Sequence, residues 1–223
     1  MKTLITRGAL GLLFLLLSAC NLVGQPARIE HSDTQQWNEV QISVPLSKRI
    51  DFMLLGTVRL GQDISRPVDE RLGIAFSFKI RKYLTVAPSY LHIRSQPLSG
   101  LDLSEERLSL PATVRFRIGD FVVNDRNLLE RRFRPLRPAS SRYRNRLQIE
   151  HPLLASESLN WFVSDEVFYD WVVNDWVRNR FSVGVNKVVN RHLTVEVFYM
   201  RQNDGRALPG DLNVIGTSWR LRP

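Results

Sequence analysis

The sequence contains a single cysteine, Cys20, which excludes an internal disulfide and a cysteine-based zinc site. Beyond the first twenty residues, no apolar run approaches the length of a membrane-spanning helix. Glycine-rich phosphate loops, metal-ligand spacings and heptad repeats are also absent from the sequence. The sequence therefore predicts no metal ligands and no bound cofactor.

Histidines are few, and they are not spaced as catalytic residues. They are His31, His92, His151 and His192. A lipid hydrolase would need a nucleophile and an acid beside one of them, and only His92, near Ser89 and Ser95, comes close to such an arrangement. We therefore predict that the protein is not an enzyme and has no catalytic residues.

The N-terminus has the features of an export signal. Basic residues up to Arg7 precede an apolar stretch from Gly8 to Leu17, which is too short to span a bilayer. Ser18 and Ala19 then precede Cys20, so two outcomes are open: acylation of Cys20 as in a lipoprotein, or ordinary cleavage after Ala19. We predict a signal peptide over residues 1–19 and a polar linker over residues 20–35 of a protein exported from a bacterial cytoplasm.

Positive charge dominates, with a net charge of +9 and a pI near 10.3. Such values can indicate a nucleic-acid partner, but an exported chain rarely meets nucleic acid. The basic residues also alternate along segments instead of clustering in a tail. We therefore predict no nucleic-acid partner and expect a basic interior, or contacts with outer-membrane lipid and lipopolysaccharide. The barrel-assembly machinery is a further expected partner.

Strict alternation of polar and apolar residues is the main structural signal. One face of the segment from residue 142 to 150 carries only Arg142, Arg144, Arg146, Gln148 and Glu150, and the other carries Tyr143, Asn145, Leu147 and Ile149. This period of two indicates a β-strand. About eleven such segments of roughly ten residues follow Trp37. Short connections alternate with longer ones, including one around Pro138, as in outer-membrane barrels.

The sequence thus predicts an all-β fold: an antiparallel transmembrane β-barrel of the outer-membrane type, with about 10–12 strands over residues 36–223. The range is kept open because eleven segments make an odd number, whereas single-chain bacterial barrels have an even number of strands. Aromatic residues near strand ends, including Trp37, Trp161 and Trp219, are expected to form interfacial girdles. The alternative is a soluble or Cys20-anchored periplasmic barrel that binds a ligand in an apolar interior. Connection lengths, aromatic positions and the small number of lysines favour the membrane.

The predicted inward face is rich in arginine and glutamate, which can pair as planar forks. We expect these side chains to form either a structural ladder of ion pairs or a narrow anion-favouring pore, and the long arginines in a small barrel favour the ladder. The predicted inward-facing charged residues are Glu39, Arg59, Arg71, Arg107, Arg115, Arg117, Arg126, Glu130, Arg132, Arg142, Arg144, Arg146, Glu150, Glu166, Arg178, Arg180, Glu196 and Arg220.

Several short motifs carry a resemblance to a known family. In order they are Trp37-Asn38-Glu39, Glu130-Arg131-Arg132 after Arg126, Arg142-Tyr143-Arg144, Asp165-Glu166 with Phe168, Asn179-Arg180-Phe181 with Gly184, and Phe198-Tyr199-Met200-Arg201. From Trp37 onward the chain resembles domain-of-unknown-function family 2490, whose members are expected to be bacterial outer-membrane β-barrels. The resemblance implies an outer-membrane location and brings no substrate, cofactor or catalytic residue.

Overall fold

The computed structural model describes residues 32–96, 102–153, 156–207 and 209–223. The predicted signal peptide, Cys20 and most of the predicted linker lie outside these residues. Twelve strands are present: β1 (Ser32–Pro45), β2 (Ile50–Gly61), β3 (Arg66–Lys79), β4 (Leu84–Val86), β5 (Ser89–Ser95), β6 (Leu103–Ile118), β7 (Phe121–Arg134), β8 (Arg137–Leu153), β9 (Ser156–Asp170), β10 (Asp175–Asn190), β11 (Leu193–Asp204) and β12 (Asp211–Leu221). No helix long and apolar enough to cross a membrane occurs in the described part of the chain.

These strands form a closed, mostly antiparallel barrel with eleven strand positions. β4 and β5 share one position between β3 and β6, because the strand is interrupted at residues 87–88. Pro88 has no N–H to donate to a ladder, which accounts for the interruption. The Ala87 N–H still bonds to the Pro111 carbonyl at 3.0 Å, so the wall remains continuous.

An odd number of positions determines how the barrel closes. In an up-and-down barrel with eleven positions, the first and last strands run in the same direction. β1 and β12 accordingly pair in parallel, from Ser32 opposite Asp211 to Ile42 opposite Leu221. The strand count agrees with the predicted range, and the parallel pair resolves the conflict between an odd count and the usual even number.

The strand ends define two rims. The turn end carries the connections 46–49, 80–83, 119–120 and 191–192. The loop end carries 62–65, 135–136 and 171–174, together with the end of β5, the start of β6, the end of β11 and the start of β12. The longer connection predicted around Pro138 is wrong: a turn of two residues, 135–136, joins β7 to β8. Pro138 instead lies in β8 beside a register shift between Arg132 and Arg134, where a missing N–H is tolerated.

β1 begins at Ser32, within the segment predicted as a linker. Its first residues are polar on both faces, so they give no hydrophobic alternation, but their side chains are paired. Asp33 accepts hydrogen bonds from the backbone N–H groups of Gln62 and Asp63, at 3.1 and 3.0 Å. Gln35 donates to Asp33 and accepts from the Trp37 indole, both at 2.8 Å.

Polarity is inverted relative to a soluble protein. Leu72, Leu108 and Leu129 on the outer face are 69%, 50% and 50% exposed, whereas Arg107, Glu130 and Arg142 inside are 5%, 3% and 6% exposed. The alternative prediction, an apolar ligand-binding interior with the arginines outside, is therefore wrong. Most charged groups pair within the lumen, and the leucines form the outer face, which is the arrangement typical of membrane barrels.

The outer wall is not uniformly apolar. Asp125, Asn145, Asp165 and Asn179 face outward on β7 to β10, and they bond to one another instead of to the lumen. The Asn145 amide donates to Asp125 at 2.6 Å, and the Asn179 amide donates to Asp165 at 2.7 Å. Pairing of this kind lowers the cost of placing polar groups on the outer wall.

Candidate functional site: the charged lumen

Glu130 is the most densely paired carboxylate of the lumen. It lies on β7, and arginines of the two neighbouring strands contact it from both sides. Arg142 and Arg144 of β8 approach its oxygens at 2.6 and 2.8 Å, and Arg107 of β6 approaches at 3.4 Å. Strand pairing produces this cluster, because Glu130 lies opposite Arg142 and Ser109 in the two registers. One buried carboxylate thus holds three guanidinium groups.

Glu166 extends the network from β8 to β10. Arg144 bonds to it at 2.8 Å, and Arg126 reaches it from β7 at 2.7 Å. Arg180 of β10 lies 3.8 Å from its other oxygen. Arg144 therefore bridges Glu130 and Glu166, and the ion pairs continue around the wall through five adjacent strands, β6 to β10. We call Glu130, Glu166 and their arginine partners the central network.

A second set of pairs lies towards the loop end. Glu105 contacts Arg107 at 2.5 Å and Arg132 at 2.7 Å. Asp69 of β3 bonds to Arg71 at 2.5 Å, and Arg178 bonds to Asp204 at 2.5 Å. The carboxylates at 69, 105 and 204 were absent from the predicted set. Glu105 and Asp69 lie two residues before Arg107 and Arg71, so they face the same side of their strands. Following the alternation to the strand ends would therefore have predicted both as inward-facing.

Two aromatic rings fill space between the arginines. Phe168 is 0% exposed, and the guanidinium carbons of Arg144, Arg180, Arg142 and Arg178 lie 4.5, 4.8, 5.1 and 5.3 Å from its ring centroid. Trp37 is also buried, with Arg59 at 3.5 Å and Arg180 at 4.8 Å. Guanidinium groups over aromatic faces are favourable where water is excluded. The expectation that Trp37 belongs to an interfacial girdle is wrong, because it packs inside.

Arg180 shows how narrow the interior is. It belongs to β10, yet it contacts Trp37 of β1 across two intervening strands, β11 and β12. Nearby, the ring of Phe198 lies over Gly216 on the neighbouring strand, and a Cβ at residue 216 would clash with it. At this level, side chains of strands three positions apart therefore meet inside the lumen.

The turn end of the lumen is different. Arg115 and Arg117 point into it from β6 and are exposed, and no ion pair to either is found among the described residues. Arg220 of β12 is also exposed, with Glu196 as its partner at 2.5 Å. Among the described residues, the side-chain donors to Glu150 are the amides of Asn124 and Gln148, both at 2.8 Å. We call Arg115 and Arg117 the turn-end arginines.

Each predicted lumen residue can now be placed. Seven are buried: Arg59, Arg107, Glu130, Arg142, Glu166, Arg180 and Glu196. Eight are half-buried: Glu39, Arg71, Arg126, Arg132, Arg144, Arg146, Glu150 and Arg178. The exposed ones are Arg115, Arg117 and Arg220. No cluster of His, Cys, Asp and Glu side chains suited to a metal ion occurs among the residues that the structure describes.

A sequence model of proteins of unknown function, DUF2490, matches residues 34–212. The chain belongs to the DUF2490 family. This confirms the resemblance drawn from the sequence motifs, and the motifs now have structural roles. Glu130, Arg142, Arg144 and Glu166 belong to the central network, and Phe168 lies within it. A comparison with curated proteins gives no significant match.

Several solved barrels are similar to this DUF2490 protein. They include an anion-selective porin from Comamonas acidovorans, at 8% identity and a TM-score of 0.41, over 78% of this chain and 54% of that one. A NanC porin is 9% identical, with a TM-score of 0.49, over 81% and 93% of the two chains. A KdgM porin is 14% identical, with a TM-score of 0.45, over 78% and 92%. This chain thus spans about half the length of the Comamonas porin.

Proposed function

We propose that this protein is an integral barrel of the bacterial outer membrane in which the central network ties the strands together and closes the middle of the lumen. The observation that carries the proposal is the position of Glu130, buried and bonded to three arginines, in a barrel whose leucines face outward. Charged pairs inside and apolar side chains outside are the arrangement that a lipid surrounding stabilises. The role is structural, and no catalytic step is assigned.

Membrane fractionation tests this proposal. Cell envelopes are washed with alkali or urea, and the outer-membrane pellet is run on a gel with and without heating. Retention in the pellet with a faster band in the unheated sample is expected, because a folded barrel keeps its compact shape in detergent. Release into the soluble fraction would contradict a membrane location.

A second candidate function is a narrow path that favours anions. The turn-end arginines are the observation in its favour, because they leave positive charge uncompensated where solutes would enter. Arginine-lined pores select anions. In planar bilayers with a KCl gradient, the reversal potential is expected to have the sign of chloride selectivity with a small conductance. Cation selectivity, or no conductance at all, would leave only the structural role.

A further inference from the structure

The outer wall contains a groove near the loop end that the lumen does not use. Leu108 and Leu110 of β6 and Leu129 of β7 line its floor, and Trp171 and Val172 from the connection between β9 and β10 cover it from the side of β8. Its volume is about 710 Å³. The Trp171 N–H bonds to the Ser141 carbonyl at 3.4 Å, which extends the β8–β9 ladder by one pair and fixes the start of this connection beside β8.

Aromatic side chains mark the depth of the groove. Trp171 belongs to a cluster in which the ring of Tyr169 lies 5.9 Å from Trp171 and 5.3 Å from Trp176. Tyr143 lies 6.4 Å from Trp176. Tyrosine and tryptophan collect at the level of lipid headgroups, where their apolar rings and polar edges are both satisfied. The upper part of the groove therefore lies at headgroup level, and its leucine floor lies at the level of acyl chains.

Arg131 supplies a positive charge at this upper part. It lies on the outer face of β7 beside Leu129, it is exposed, and its guanidinium donates to the Ser141 hydroxyl at 2.9 Å. No carboxylate lies within ion-pair distance of it in the part of the chain that the structure describes. An arginine fork that keeps free N–H groups at headgroup level matches the geometry of a phosphate.

We propose that this groove binds lipid A, with one acyl chain along Leu108, Leu110 and Leu129 and a phosphate held by Arg131. The proposal rests on the outer-membrane function above, with the loop end at the cell surface, because lipid A is the phosphorylated lipid of the outer leaflet. The positive charge of Arg131 selects the phosphate of the ligand, and the apolar floor independently selects its acyl chain.

Binding is tested on the full-length barrel purified in detergent, by native mass spectrometry with bisphosphorylated lipid A, its dephosphorylated form and phosphatidylglycerol as separate probes. Replacing Arg131 with glutamine is expected to weaken binding of bisphosphorylated lipid A about tenfold or more, since a hydrogen-bonded charge is lost. The matched control is Arg201→Gln. Arg201 also faces outward, but Asp211 neutralises it at 2.8 Å, so binding should be unchanged.

A second variant, Leu110→Trp, fills the groove without changing charge and is expected to weaken binding of both forms of lipid A. Equal binding by the Arg131→Gln variant and the unmodified protein would overturn the proposal. The proposal would also be overturned if the unmodified protein bound the dephosphorylated form, or phosphatidylglycerol, as tightly as it binds bisphosphorylated lipid A. Heat-modifiable migration of each variant tests separately whether the protein forms a folded outer-membrane barrel. A folded barrel that does not prefer lipid A would contradict the lipid A site and leave the proposed outer-membrane function standing.

Discussion

Arginine occurs in two environments in this lumen: it is paired with carboxylates in the central network, whereas the turn-end arginines have no such partner in the described part of the chain. Arg142 and Arg144 are held at 2.6 and 2.8 Å from Glu130, whereas Arg115 and Arg117 point into the same lumen without a carboxylate partner among the described residues. The difference is exposure. Deep in the lumen an unpaired charge would lose its hydration, but at the mouth water solvates it.

Position within the barrel therefore decides what an arginine contributes. A paired arginine in the centre contributes to stability, because removing its partner leaves a buried charge uncompensated. An exposed arginine at the rim contributes little to stability, but its field acts on ions that enter the lumen. The variants below test this division, beginning with the one expected to cost most.

Replacing Glu130 with arginine is expected to have the largest effect. The change removes the shared partner of Arg107, Arg142 and Arg144 and adds a fourth positive charge among them. Breaking a buried ion pair costs about 3–5 kcal/mol, and the added charge should bring the loss to that range or beyond. The urea midpoint of the folded, heat-modifiable band measures the change.

Glu150→Gln is the control for this experiment. Glu150 faces the same lumen, but its hydrogen-bond partners are the neutral amides of Asn124 and Gln148. Glutamine can keep hydrogen bonds there, so the midpoint should move much less. Equal shifts in the two variants would mean that the ion pairs around Glu130 do not stabilise the barrel.

Phe168→Leu is expected to have the next largest effect. Four guanidinium groups lie within 5.3 Å of the Phe168 ring, and leucine offers them no aromatic face. A loss of about 2 kcal/mol is expected from desolvated contacts of this kind. Phe162 is the matched position, since it is buried on the same face of β9 and no guanidinium contact to it is found among the described residues. If Phe162→Leu lowers the urea midpoint as much as Phe168→Leu does, the arginine–ring contacts contribute no stability beyond that of ordinary apolar packing.

Alternation within single strands predicted the strands and their two faces, and connection lengths and aromatic positions were needed to favour a membrane barrel. The arginine face of β8 and the partner carboxylates Glu130 and Glu166 follow from parity alone, because every second residue of a strand faces the same side. Register between distant strands does not follow, since no local pattern relates Ser32 to Asp211. The parallel pair that closes the barrel could therefore not be predicted.

Two other features were missed for reasons of chemistry. Trp37 was expected at the membrane interface because tryptophan prefers that level, but its indole N–H has a buried partner in Gln35 and its face has Arg59. The two-residue turn at 135–136 was hidden by prolines on either side of Leu136, whose φ of 60° is unusual for leucine. In both cases a tertiary contact or a local strain outweighs the residue's usual preference.

Arg117→Glu is expected to change selectivity with little change in stability. Arg117 is exposed at the turn end, so the free energy of unfolding should change by less than about 0.5 kcal/mol. The reversal potential in a KCl gradient should move towards cation selectivity, because the charge at the mouth is inverted. Lys187→Glu makes the same charge change on the outer face of β10 and should leave selectivity unchanged. Identical reversal potentials for the Arg117→Glu variant and the unmodified protein would exclude the turn-end arginines as a filter.

Asp102→Asn is expected to have the smallest effect, although it also removes an ion pair. Asp102, the residue just before β6, accepts a hydrogen bond from Arg94 at 2.6 Å, and both side chains are more than half exposed. The Arg94 hydrogen bond lowers the pKa of Asp102, so any stabilisation is present above the ordinary carboxylate pKa and is lost as the pH falls through the lowered value. Water screens this pair, and the urea midpoint of the variant should match that of the unmodified protein at neutral and acidic pH. A clear loss of stability at neutral pH alone would mean that exposed ion pairs also hold this barrel together, and the contrast between buried and exposed arginines would no longer hold.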